Sequence, residues 1–192
     1  MIVIGVPVPK DHSIDVRTAA YCSAEAMRPG VQWGYCSSKE CGVGRSAFAN
    51  SVLGNPDVTH IFNIDADVVP PPNTLQKLFD YDLPIVAGIY PTVTKGNKTW
   101  SFKTDDSAEW QLRDEPLPKG LTEVTAIGGS TVLIKREVFV HLDLPWFMAS
   151  YNIDGEYSEK EDEHFSRMAR DAGYKLMIDP SIVCKHYNYG EV

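Results

Sequence analysis

Two aspartates one residue apart, Asp65 and Asp67, follow the apolar run Ile61, Phe62, Ile64 and precede three prolines, Pro70, Pro71 and Pro72. A short β-branched and aromatic run closed by prolines predicts a buried strand with an abrupt end across Thr59–Pro72. Residues i and i+2 of a strand share a face, roughly 6–7 Å apart. The two carboxylates are therefore expected to leave the C-terminal edge of a sheet together, where open α/β sheets bind ligands. Paired carboxylates there suit a hard divalent cation that keeps positions open for phosphate oxygens. A polar turn is the competing reading, because aspartate is common after strands.

A second acidic group, Ser158-Glu159-Lys160-Glu161-Asp162-Glu163, opens the clearest helix of the chain, with Phe165, Met168, Ala169 and Ala172 on one face. Ser158 and Glu161 fit a capping box. Asp162 and Glu163 fit the helix dipole equally well as they fit a proton acceptor facing a hydroxyl. His186 follows a β-branched run, where an imidazole can reach a metal or simply pack. Gly128-Gly129-Ser130 lies between two apolar runs, and glycine there allows a close backbone approach to a ligand or a tight turn. Gly42-Val43-Gly44 is a partial dinucleotide fingerprint. Phe48 stands where the third glycine belongs, which excludes the nicotinamide-cofactor reading. Arg45, next to it, can pair with a phosphate or orient an aspartate. Trp146, Phe147 and Tyr151 suit either stacking on a sugar or base, or packing beneath their loop.

The elements that must position these groups alternate. Strands are expected at Ile2–Val6, Val31–Cys36, the central aspartate-bearing stretch and Ile85–Ile89. Helices are expected at Asp15–Met27, with Val16, Ala19, Ala20 and Ala26 inward, near Ala47–Leu53, and at Asn73–Tyr81 with Leu75, Leu78 and Phe79 inward. Ser37–Gly44 reads as a loop. This order predicts an α/β fold with a mostly parallel central sheet. Tyr90–Thr125 reads as loops and antiparallel hairpin material. Short apolar runs follow at Val124–Ile127 and Thr131–Ile134, with a brief helix at Arg136–Leu142. Asp143–Lys160 is a long polar and aromatic loop, Glu161–Ala172 the helix named above, and Tyr174–Ile178 and Ser181–Cys184 two closing strands.

At 192 residues the chain is expected to form one domain. A net charge of −8 argues against a nucleic-acid footprint, though a nucleotide can still bind through a cation. The opening MIVIGVPVPK lacks a basic leader and reads as a strand. No apolar stretch approaches a membrane span. Cys22, Cys36, Cys41 and Cys184 lack zinc-type spacing, so reduced thiols in a cytoplasmic protein are expected.

Taken together, IFNIDADVVPPP, IGGSTVLIKREVF, EKEDEHFSRMARDAGYKL and SIVCKHY resemble the GT-A fold glycosyltransferases, family-2-like, over nearly the whole chain. The resemblance implies a GT-A type sheet with a small antiparallel portion in the C-terminal half. Residues 1–90 would form the nucleotide-sugar half and 91–192 the acceptor and catalytic half. It implies Asp65, Asp67 and His186 as ligands of Mn2+ or Mg2+, Asp67 foremost. Glu161-Asp162 would be the catalytic acidic pair, with Asp162 as general base in an inverting enzyme. Donor contacts are expected from Val6, Pro7, Arg45, Asp65, Asp67, Gly128 and Gly129. The partners would be a UDP- or GDP-linked sugar and a hydroxyl acceptor. The chain ends almost at the histidine, so no long acceptor domain is expected within these residues. Two alternatives stay open: a nucleotidyltransferase on a similar fold, although VPVPKDHS is not a glycine-rich phosphate loop, and a non-catalytic nucleotide- or sugar-binding module.

Overall fold

The computed structural model describes residues 1–94, 96–106, 109–155 and 157–187. In chain order the elements are β1 (Ile2–Pro9), α1 (Val16–Ala26), β2 (Val31–Ser38), α2 (Cys41–Leu53), β3 (His60–Asn63), β4 (Val68–Val69), α3 (Thr74–Asp80), β5 (Ile85–Ile89), β6 (Pro91–Thr94), β7 (Asn97–Trp100), β8 (Phe102–Lys103), β9 (Thr122–Val124), β10 (Ala126–Ile127), β11 (Val132–Lys135), α4 (Arg136–His141), β12 (Ser150–Tyr151), β13 (Tyr157–Glu159), α5 (Glu161–Asp171), β14 (Leu176–Val183) and β15 (Lys185–His186). Seven strands form one sheet in the order β2-β1-β3-β11-β5-β14-β9. Only β11 and β9 run against the other five. The sheet is thus mostly parallel, and its antiparallel members come from the C-terminal half.

Alternation along the central strands supplies a core on each face. Val3, Ile61, Ile85 and Ile134 join Phe48 of α2, Phe139 of α4 and Phe165 of α5. Ile4, Phe62, Val86 and Leu133 join Cys22 of α1 and Leu75 and Leu78 of α3. Each such side chain contributes roughly 1.5–3 kcal/mol by leaving water. Phe48 explains two glycines. Gly5 and Gly34 are register partners on β1 and β2, and a Cβ on Gly5 would lie 2.6 Å from the Phe48 ring. Close seating of α2 on the sheet requires a bare backbone there.

Several boundaries differ from those expected. β1 continues through Pro7-Val8-Pro9 because Val8 is still buried between sheet and α1. Helix α1 turns Thr18, Cys22 and Glu25 inward and leaves Val16 at the surface, with Asp15 capping the Arg17 N–H. Ser37–Gly44 is not all loop: β2 runs to Ser38 and α2 begins at Cys41. Phe79 is partly exposed, against the side of His60. The two closing strands are one strand, β14, whose register shifts between Ile178 and Val183. Within Asp143–Lys160 the two-residue strand β12 pairs with β13. Trp146 and Phe147 are core residues, packed on Phe139 and stacked on Phe165 respectively. Tyr151 is exposed beside Tyr157. All four cysteines are free thiols. No helix among the described residues is long and apolar enough to cross a membrane.

Candidate functional site

The C-terminal ends of β1 and β3 open on a cleft of about 850 Å³. Pro7, Arg45, Asp65, Asp67, Glu161, Asp162 and His186 all line it. The charged groups among these come from four widely separated stretches: the turn after β3, the N-terminal part of α2, the first turn of α5 and β15.

Asp65 and Asp67 do not sit on a strand. β3 ends at Asn63, and Ile64 N–H donates to the Gly5 carbonyl at 3.0 Å. The chain then turns, closed by Val68 N–H to the Asp65 carbonyl at 3.1 Å. The shared-face expectation fails for this reason, and the two carboxylates diverge. Asp65 accepts a hydrogen bond from Arg45 Nη2. Its N–H donates to Ser130 Oγ at 2.8 Å. Asp67 Oδ2 lies 3.2 Å from His186 Nε2.

His186 is held by its backbone and by its other nitrogen. β15 pairs with β4, placing His186 opposite Val68. Nδ1 lies 2.8 Å from the Pro91 carbonyl. A carbonyl only accepts, so Nδ1 carries the proton and Nε2 faces Asp67. Burial works to lower the His186 pKa, but the Asp67 hydrogen bond, the Pro91 carbonyl and the nearby carboxylate charge outweigh it, and the net shift is upward. Tyr90 packs edge-on against the imidazole with ring centroids 5.5 Å apart. Burial, then the charges of Asp65 and Asp162, raise the Tyr90 pKa well above the ordinary value, so it stays a neutral phenol.

Arg45 is the hub. It is only 4% exposed and sits on α2, one turn after the helix start at Cys41. One nitrogen binds Asp65, and Nη1 lies 3.2 Å from Glu161 Oε1. Glycine makes room for it: a Cβ on Gly129 would lie 2.5 Å from Arg45 Cζ, and one on Gly128 would overlap the Tyr90 hydroxyl at 2.2 Å. Gly128, Gly129 and the buried Val6 are not among the cleft-lining residues. The bare glycine backbone makes its close approach to Arg45 and Tyr90.

The first turn of α5 is organised differently from the S-x-x-E expectation. Lys160 is the N-cap residue, and its N–H donates to Glu163 Oε2 at 3.0 Å. Glu161 is drawn into the ion pair with Arg45 instead of capping the helix. Asp162 faces the cleft, and its Oδ1 accepts from Glu163 N–H at 2.9 Å. Burial first, then the adjacent Glu161 charge, push its pKa up to about 7 against the pull of Arg45 and Lys160. A carboxyl titrating near neutrality can take or give a proton at working pH. Cys41 also lines the cleft, but burial drives its thiol up to about 11 despite Arg45, so it remains protonated.

The donor set suits an open cation site better than a closed cage. Among the described residues no three His, Cys, Asp or Glu side chains form a ready-made metal-binding group. Asp67 and His186 nevertheless present an oxygen and a nitrogen side by side. The Nδ1–Pro91 bond is the outer-shell contact that fixes a ligand imidazole. A small hard cation commonly takes one or two carboxylates and completes its shell with substrate phosphates.

Sequence reasoning missed Tyr90, Thr92, Tyr157, Lys160 and the β1–α1 segment Asp11–Ser13 with Asp15, all on the cleft wall. Tyr90 was within reach, because it directly follows the apolar run of β5 at the same sheet edge. The others lack any local signal.

No protein-family model matches the chain, and no curated protein matches it in sequence. Solved structures do match. A197 from STIV superposes with a TM-score of 0.70 at 18% identity, covering 96% of this chain and 84% of that one. GalNAc-T7, crystallised with UDP, GalNAc and Mn2+, superposes with a TM-score of 0.63 at 14% identity. That match covers 97% of this chain and 43% of the GalNAc-T7 chain. The likeness is one of architecture: the chain has a GT-A-like α/β fold.

Proposed function

We propose that this protein is a metal-dependent glycosyltransferase that moves a sugar from a nucleoside-diphosphate donor to an acceptor hydroxyl. The observation that carries the reading is a single cleft that holds two chemically different groups: the Asp67–His186 pair, and Asp162 with its pKa pushed up to about 7. The likeness to GalNAc-T7, which was crystallised with UDP and Mn2+, supports the same reading.

Asp67 and His186 would hold Mn2+ or Mg2+, which when bound supplies positive charge against the leaving diphosphate. Asp65 lines the same cleft and is oriented by Arg45. Asp162 accepts the acceptor proton. In the transfer, the acceptor oxygen forms a bond to the anomeric carbon as the bond from that carbon to the phosphate oxygen breaks. The bonding pair leaves with the nucleoside diphosphate, and the proton ends on Asp162. Arg45, committed to two carboxylates, acts as a positioning residue. Residues 1–90 then form the donor half and 91–192 the catalytic half, with His186 returning from the second half to complete the metal pair.

The test is a thermal-shift panel of UDP, GDP, CMP and ADP, with and without Mn2+, on wild type and Asp67→Asn. A ligand that binds only the native state at about 100 times its Kd adds roughly 2.7 kcal/mol. A metal-dependent shift for one diphosphate, lost in Asp67→Asn, is expected. No shift with any nucleotide refutes the reading. Product analysis separates sugar transfer, which releases nucleoside diphosphate, from nucleotidyl transfer, which releases pyrophosphate.

A further inference from the structure

A second cavity of about 560 Å³ adjoins the cleft and shares Pro9, Cys41, Tyr157 and Glu161 with it. Its volume is that of a small-molecule site. One wall is α2, presenting Val43 and Ala47, and the other is the loop that carries Leu144, Phe147 and Met148. Gly42 lets the walls meet: a Cβ there would lie 2.7 Å from Glu161 Cβ and 3.1 Å from the Phe147 carbonyl oxygen.

The chemistry of this annex differs from that of the cleft. Val43, Leu144, Met148 and Tyr157 are all exposed, at 54%, 58%, 41% and 56%, around one space. Apolar side chains set around one concave space give an apolar group a surface to cover. Lys39, Glu40 and Glu161 line the cavity, so it offers a diphosphate no net positive field and no cation-binding pair. Asp67 and His186, the pair proposed above to hold the cation, lie in the cleft, and the charged donor belongs there with them. In a two-substrate reaction the annex is left for the other reactant, whose hydroxyl must reach Asp162. Glu161, the residue beside that base, is one of the four residues common to both spaces.

We propose that the annex binds the apolar portion of the acceptor, so that the acceptor is an alkyl- or aryl-substituted sugar or alcohol. The word acceptor rests on the glycosyl-transfer reading above; the apolar site itself does not.

The experiment is a binding titration of the metal-free, nucleotide-free protein with methyl, octyl and phenyl glucoside, by saturation-transfer NMR and calorimetry below the octyl glucoside micelle threshold. Each fully buried methylene is worth about fourfold in affinity. The octyl or the phenyl compound is expected to bind at least ~10-fold tighter than the methyl compound, and the arm that wins tells chain from ring. Val43→Glu and Met148→Glu, on opposite walls and both partly exposed, put a carboxylate in the annex and are expected to erase that preference while keeping the melting temperature of the unliganded protein. Equal affinity for all three compounds, or a preference that survives in both variants, overturns the inference. Octyl or phenyl binding with no nucleotide shift in the Mn2+ panel would leave the apolar site standing and remove the transfer reading. A nucleotide shift without apolar preference would do the reverse.

Discussion

Replacing Asp162 by asparagine changes how stability depends on pH, and the effect follows from the geometry alone. The side chain is raised from the ordinary aspartate value of 3.8 up to about 7, chiefly by burial and then by Glu161. Between these two values the folded protein keeps a proton that the unfolded chain has released. The unfolded state then binds fewer protons, so stability falls as pH rises through that window and levels off above about 7. The difference spans about three pH units, at ~1.36 kcal/mol each, for a ceiling near 4 kcal/mol. Asp162 is partly open to the cleft, and solvent screening there brings the expected figure to about 2 kcal/mol. An asparagine side chain at this position cannot titrate. Urea denaturation of wild type and Asp162→Asn at pH 4, 5, 6, 7, 8 and 9, without metal or nucleotide, gives the difference curve directly. Other titrating groups cancel in it, apart from their coupling to Asp162. The variant is expected to gain on wild type by about 2 kcal/mol between pH 4 and 7, with no further gain above. A difference that does not vary with pH, or one that moves in the opposite direction, refutes the argument that burial beside Glu161 holds this carboxyl neutral.

Two further outcomes concern the hub beneath the cleft. Arg45→Met leaves Asp65 and Glu161 without their shared cation, and breaking a buried ion pair in this way is expected to cost about 3–5 kcal/mol, read as a lower urea midpoint. Gly129→Ala drives a methyl group into the Arg45 guanidinium and is expected to cost about 1–3 kcal/mol. In the double variant that cost should largely vanish, so additive losses would show that Gly129 is not there for Arg45.

Much of the architecture was legible because periodicity is a local property. Ile85–Ile89 reads as a buried strand and is one. The amphipathic stretch from Glu161 forms α5, with Phe165 and Ala169 in the core. The change of character after Tyr90 coincides with the hairpin of β6 and β7. Helix faces were less legible where small and mixed residues blur the pattern. In α1 the buried positions are Thr18, Cys22 and Glu25, while alanines and Val16 drew the expectation elsewhere.

Residue types and their spacing were enough to show which groups are available for chemistry: two aspartates after an apolar run, an acidic helix start, a histidine after the last long strand, and an arginine among glycines. Which partner each of them takes was decided only by folding. Asp65 and Asp67 are separated by one residue, yet a turn sends one to Arg45 and the other to His186. Glu161 fits a cap by spacing, but a buried guanidinium from 116 residues away claims its carboxylate and leaves Glu163 to satisfy the N-cap. The glycines of Gly128-Gly129 are explained by an arginine and a tyrosine that no local window contains. Partner choice depends on distance and burial in three dimensions, where a charged pair out of water outweighs a local hydrogen bond, and sequence spacing carries neither quantity.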